Sequence, residues 1–253
     1  MPVPNLREKL DHPSVTTPGA AIDYRGKTDL DPAPETVVLS YQRAIAEHVR
    51  ETLDTTRQPH TVGSAELHAL DDTDGRVAVA EGFGIGAPVT ALVMEGLVAH
   101  GTERFVVVGH VGSLQPDVRL GSAIVADGAV RDEGTSYHYL ADDTPARATP
   151  AVRDQLVDAA ESAGETVFVG PTWTTDALYR ETAVEIEHYR DEGVLAVDME
   201  AAAVFAIAQF HGVEAGALFT VSDHLTTDGW EAHFDDTAEH LVRLLDVVSE
   251  TFS

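Results

Sequence analysis

Short runs of consecutive apolar residues alternate along this chain with longer stretches in which apolar positions recur every three or four residues. The runs predict strands over 37–39, 77–80, 105–108, 123–126, 166–169 and 217–221. The longer stretches predict helices over 42–53, 88–100, 150–163, 182–192, 201–211 and 237–251. Pro88 suits a first helical turn, and Gly101 and Gly212 suit helix ends. Strands that are apolar at every position are buried on both faces, so the pattern points to an α/β domain over 36–253 with a largely buried sheet. Residues 1–35, rich in Pro, Asp, Gly and Thr, read as an irregular arm lying across the domain or a neighbouring subunit. The stretch 201–208 is apolar all round, and a helix with no polar face must be buried. It follows directly on Asp198, Met199 and Glu200, so two acids stand at the mouth of the core.

Composition narrows the partners. Sixteen basic residues against 43 acidic ones leave a net charge of −27, and the only lysines are Lys9 and Lys27. Such an acidic, lysine-poor chain reads as adapted to high salt, where counter-ions screen self-repulsion. It lacks the basic footprint of a nucleic-acid binder. With no cysteine there is neither a disulfide framework nor a thiolate zinc site, and no metal is expected. No apolar run is long enough to span a membrane, and no signal peptide is read at the start. The expected location is the cytoplasm.

Four stretches can carry chemistry. Gly82-Phe83-Gly84-Ile85-Gly86-Ala87-Pro88 lies between a strand and a helix, where backbone N–H groups and the helix N-terminus can meet an anion; a tight turn without ligand reads the same. His110, in Gly109-His110-Val111-Gly112-Ser113, stands where strands of an open α/β sheet end and ligands bind. It either donates to a ligand or is bonded to a nearby carbonyl. Asp198 and Glu200 at the next junction can accept from neighbouring hydroxyls, or merely cap the helix. Asp223, in Thr220-Val221-Ser222-Asp223-His224, is either a general acid or the start of a turn.

Together with Asp127-Gly128-Ala129-Val130-Arg131-Asp132-Glu133-Gly134-Thr135-Ser136, these stretches resemble, in order and spacing, the nucleoside phosphorylase and nucleosidase superfamily over roughly residues 77–225. The resemblance implies a three-layer αβα sandwich with a central mixed sheet, and cleavage of an N-glycosidic bond. It implies that Glu200 holds the ribose 2′ and 3′ hydroxyls, that Met199 packs under the sugar, and that Gly84 and Gly86 serve the phosphate side. Asp198, Ser222, Leu178, Tyr179 and Arg180 are expected beside the substrate. Ser222-Asp223 is similar to the purine branch, where the Asp protonates N7 of the base. Uridine-specific members carry a Gln-x-Arg pair that falls here on Thr182 and Val184, so a purine is expected over uridine. Inorganic phosphate is the implied co-substrate, with no cofactor, and a homo-oligomer, hexamer or dimer, is the implied assembly.

The phosphate pocket departs from the family. Of the Gly-Asp-Pro-x-Arg loop, only Arg43 carries over; a second family Arg becomes Val107, and His110 replaces a Ser or Thr. His110 and Arg180 are candidates to compensate, as are Arg25 or Arg57 from a neighbouring subunit. Arg180 also raises a 5′-monophosphate as substrate. The resemblance and these departures together imply phosphorolysis of a purine ribonucleoside or its 5′-monophosphate. Uridine phosphorolysis, phosphate-independent hydrolysis and nucleoside binding without catalysis are the alternatives.

Overall fold

Val37, Val38 and Leu39 are all inaccessible to solvent, and so are Val77, Ala78 and Val79 on a neighbouring strand. Residues buried in succession cannot all face one side, so this part of the sheet is covered on both faces. In the computed structural model, which describes residues 6–60 and 63–253, these are strands β1 (Thr36–Leu39) and β4 (Val77–Glu81). The remaining strands are β2 (Thr55–Gln58), β3 (Glu66–Leu70), β5 (Arg104–Ser113), β6 (Ala123–Asp132), β7 (Ala146–Arg147), β8 (Val167–Thr175), β9 (Ala196–Asp198), β10 (Glu214–Thr226) and β11 (Gly229–Ala232). The helices are α1 (Pro18–Tyr24), α2 (Arg43–Glu51), α3 (Ala87–Ala99), α4 (Pro150–Ser162), α5 (Ala183–Asp191), α6 (Ala201–His211) and α7 (Ala238–Phe252).

All strands join one mixed sheet. From the β2 edge the order is β2, β3, β4, β1, β5. Beyond β5 the pairings run through β9, β8, β6 and β10, and β10 pairs back onto β5, so five strands close on themselves. Alternate residues of the strands feed two cores. Val37, Leu39, Phe105 and Val107 meet α3 and α6 on one face. Val38, Val106 and Val108 meet α2, α4 and α7 on the other. The αβα layering and mixed sheet are therefore as expected, with helix α6 over 201–211 as predicted.

Two expectations need correction. The strands of the closed part run further than their apolar stretches: β5 continues through Gly109–Ser113 and β10 through Ser222–Thr226. Pairing with neighbours holds these polar continuations extended. The N-terminal arm is not wholly irregular. Thr17 accepts from the Ala20 N–H and Pro18 opens the first turn, so α1 forms where a Thr-Pro cap permits it. The arm lies on the domain: the Ala33 N–H donates to His100 and the Thr102 hydroxyl to the Pro34 carbonyl.

Candidate active site

A buried helix must satisfy its first N–H groups, and α6 does so with Asp198. Asp198 Oδ1 accepts from the backbone of Glu200 and Ala201 and from the Thr174 hydroxyl, all at 2.8 Å. The Thr174 oxygen in turn accepts from Ala202 N–H at 2.9 Å. The capping alternative is thus the one realised for Asp198, although it also lines the cavity described below. Glu200, placed beside it, is buried, and Oε1 accepts the Gly86 N–H at 2.6 Å. Burial, and then the charge of Asp198, push the Glu200 carboxyl up to about 8. The loop that brings Gly86 here turns at Gly82, Gly84 and Gly86, with φ of 74°, 90° and 101°, where a side chain would be strained. Behind it, Tyr41 accepts from the Thr90 hydroxyl at 3.0 Å. Burial, and then Glu200, raise its phenol well above the usual range.

The second acid is aimed by a bulge. The register of β10 against β5 shifts between Val221 and Asp223, leaving Ser222 as the extra residue. Bulges of this kind redirect a side chain. Asp223 Oδ1 accepts from the Ser222 hydroxyl at 2.7 Å, and Oδ2 from the Trp230 indole N–H at 2.8 Å. Opposite, Gly112 leaves the room: a Cβ there would stand 2.7 Å from Asp223 Oδ2 and 2.2 Å from Leu225.

Both acids line one cavity of about 770 Å³, within the range that holds small ligands. Met199, Asp198, Ser222, Leu178, Tyr179, His110 and Arg43 line it as well, so nine of the residues expected at the site come together. Gly84, Gly86 and Arg180 do not line it. Gly86 instead holds Glu200, and Arg180 is exposed on the short turn Leu178–Arg180. Arg25 and Arg57 are also absent from the lining, and Arg57 pairs with Glu66 at 2.9 Å. Thr182 is occupied as the cap of α5, in a capping box with Glu185, and Val184 is exposed.

The lining of the cavity carries little positive charge. Burial, and then His240, lower His110 to about 4, so its imidazole is neutral at pH 7 and can donate a hydrogen bond but no charge. His110 thus stands at the cavity wall as a neutral hydrogen-bonding group. Arg43 opens α2 at the rim, exposed and 2.9 Å from Glu47. Val107 is fully buried in the core under α3 and α6, so that position faces no ligand. The stretch 127–136 also proves structural. Arg131 donates to Leu140, Ala141 and Thr144 carbonyls and to Ser136, while Glu133 accepts from Thr135 and Ser136 N–H groups.

Sequence reasoning missed Trp230, Phe234 and Glu181. The first has a signal, an aromatic residue directly after an Asp-Gly turn. Glu181 has none in so acidic a chain. Away from the cavity, ligand atoms of Glu66, His68 and Glu81 lie within 4.8 Å of one another. Arg50 and Arg57 already pair with those carboxylates, at 2.6 and 2.9 Å, which opposes a cation there.

A family model described as the phosphorylase superfamily matches residues 38–252. A guanosine phosphorylase of Halorubrum lacusprofundi is 41% identical over 142 residues, which cover 56% of this chain and 59% of that protein. A uridine phosphorylase of Thermococcus kodakarensis is 34% identical over 158 residues, 57% of each chain. The chain thus spans less than two thirds of these relatives. A DeoD-type purine nucleoside phosphorylase of Exiguobacterium is 28% identical over 195 residues, 76% of this chain and 82% of that one. The crystal structure of a uridine phosphorylase from Vibrio fischeri superposes with a TM-score of 0.73 at 20% identity, over 89% of this chain and 98% of that one; this likeness bears on fold.

Proposed function

This chain belongs to the phosphorylase superfamily, and on that premise we propose that it cleaves the N-glycosidic bond of a purine ribonucleoside with inorganic phosphate, giving free base and ribose 1-phosphate. The observation that carries this reading is the convergence of Glu200 and Asp223, from a helix start and a strand bulge, on one cavity. Glu200 accepts the ribose hydroxyls, with Met199 against the sugar. As the bond to the base lengthens, charge develops on the sugar as in glycoside hydrolysis. Asp223 then delivers a proton to the leaving purine, while phosphate attacks C1′ from the side of Arg43 and His110. The nucleoside is preferred to its 5′-monophosphate because Arg180 is exposed and off the cavity. A purine is preferred to uridine because Thr182 is used up as a cap and Val184 is exposed. The proposed reaction calls for no cofactor, and the proposed assembly is a homo-oligomer, hexamer or dimer.

One observation favours a second reading, hydrolysis with water in place of phosphate. Among the described residues that line the cavity, Arg43 is the one cation, since His110 is neutral. The deciding experiment is release of free base from uridine, inosine, guanosine, adenosine, AMP and GMP in molar KCl, with and without phosphate. Release from a purine nucleoside only with phosphate supports phosphorolysis; release without it makes the chain a nucleosidase; release from uridine alone overturns the purine assignment.

A further inference from the structure

The hairpin at the edge of the sheet presents an aromatic residue that the reaction above does not use. Strands β10 and β11 pair from Asp223 with Ala232 to Thr226 with Gly229, so Thr227 and Asp228 alone turn the chain. Thr226 pins that turn, its hydroxyl oxygen accepting the Asp228 and Gly229 N–H groups at 3.3 and 3.1 Å. At the other end the His233 N–H donates to the carbonyl of the bulge residue Ser222 at 2.8 Å. The register fixed in this way sets Trp230 two residues from Ala232, hence on the face that carries Asp223 and diagonal to it. An aromatic side chain reaches across that diagonal. Every residue of β11 is exposed, Trp230 at 57%, so little of the indole's apolar surface is buried. On so exposed a strand its N–H could bond to water. It donates instead to Asp223 Oδ2, at 2.8 Å, in the cavity wall. The other tryptophan, Trp173, is buried in a core and donates to Asp132.

Resting on the nucleoside-cleaving reading, we propose that Trp230 is the positioning residue for Asp223, its indole N–H aiming the carboxyl group at the base and stabilising the carboxylate left when the proton departs. Two donors on two oxygens, Ser222 on Oδ1 and Trp230 on Oδ2, fix both side-chain torsions of the acid. Each oxygen keeps a second lone pair, so one of them can carry the transferred proton. The indole is a donor only and has no part in the proton's path. In the step it serves, a phosphate oxygen bonds to C1′, the electron pair of the glycosidic bond goes to the base, and the Asp223 proton goes to N7. Asp223 is then an anion, and the Trp230 bond strengthens as that charge grows. A contact that tightens on the way to the transition state raises kcat rather than affinity. Phe234 stands between Trp230 and His110, with ring centroids 6.1 and 5.7 Å away, and supports the indole ring.

The test is Trp230→Phe, which keeps a ring and removes the N–H. Its kcat for phosphorolysis of inosine and guanosine is expected to fall by about 10- to 100-fold, the scale of a charge-assisted hydrogen bond, with KM within about 3-fold. The N7-methyl derivatives of these nucleosides already carry positive charge on the imidazole ring and lose their base without a proton. Their kcat should stay within about 3-fold of wild type. Equal losses on both kinds of substrate, or no loss on either, overturn the proposal. A second readout needs no turnover. The Trp230 indole 15N–1H resonance, identified by its absence in Trp230→Phe, should move in Asp223→Asn while that of Trp173 stays. A Trp230 resonance that does not move overturns the proposal whatever the activity. A wild type that releases no base from any nucleoside overturns the reading beneath it, and the resonance still decides whether the indole holds Asp223.

Discussion

Two pairs of carboxyl groups face the same cavity, and the protein has finished them differently. At the proposed sugar end, Asp198 has three donors on Oδ1 and none on its buried Oδ2, and Glu200 is held by Gly86. At the base end, Asp223 is tied to Ser222 and Trp230, but Glu181 keeps an oxygen without a donor. The sugar end stands at the start of a buried helix, and the base end combines a strand bulge, a short edge strand and a loop. Under the proposed function, the first pair meets what every substrate of one class shares, the ribose, and the second meets what distinguishes one substrate from another, the base. Each end keeps one buried acceptor without a donor, but only Asp198 is fixed through its other oxygen at the start of a helix.

The sharpest way to break this division is at Asp223. Replacing it by Asn should slow base release from purine nucleosides by about 10²–10⁴-fold, the scale of a general acid. An unchanged single-turnover rate would take Asp223 out of the chemistry. At the sugar end, Glu200→Gln should cost about 10²-fold in kcat/KM, through weaker bonds to the hydroxyls. The same change should stabilise the fold at alkaline pH. In the folded chain Glu200 holds its proton up to about 8, whereas an unfolded Glu releases it near ~4.3. Folded protein therefore binds the extra proton between these values, and stability falls as pH rises across them. Thermal melts should show the Gln variant higher by a few degrees above pH ~8 and level with wild type below pH ~4.

Smaller effects sharpen the comparison. Gly112→Ala puts a methyl group against Asp223 and Leu225 and should lower kcat by about 10-fold, since misplacing a reacting group is costly. Full activity there would mean that the Asp223 position is not critical. His110→Gln should leave the phosphate KM within about 3-fold, because the imidazole it replaces carries no charge near neutrality. A larger rise would restore His110 as a main phosphate ligand. The least effect is expected of Arg180→Ala, within about 2-fold and equal for nucleoside and 5′-monophosphate. A loss confined to the monophosphate would bring that side chain into the site.

Much of this division was open to sequence reasoning, and the rest was hidden for identifiable reasons. Helix α6 could be read to the residue because an apolar run is bracketed by acids and Gly212, which adopts φ of 70° at its end. The cavity acids followed from their place beside that helix and beside an apolar strand. Strand β2, of sequence Thr-Thr-Arg-Gln, and strand β11, exposed along its length, have no apolar signature; pairing with β3 and β10 makes them strands. The halves of β5 and β10 that line the cavity are polar and have no apolar signature; pairing with each other holds them extended. The neutrality of His110 comes from burial and from His240, far along the chain, which no local pattern encodes.

The loop that carries Glu181 is pinned at both ends by groups outside its own tip. The Asp176 carboxylate accepts the Gly134 N–H at 2.8 Å where it leaves β8, and the Thr182–Glu185 box closes it onto α5. Residues 177–181 between those anchors support no core packing, so they form an interchangeable cassette. A library confined to those five positions can search for new substrate preferences while Asp223 and helix α6 stay unaltered. Divergence among natural descendants of such a scaffold would run along the same short segment.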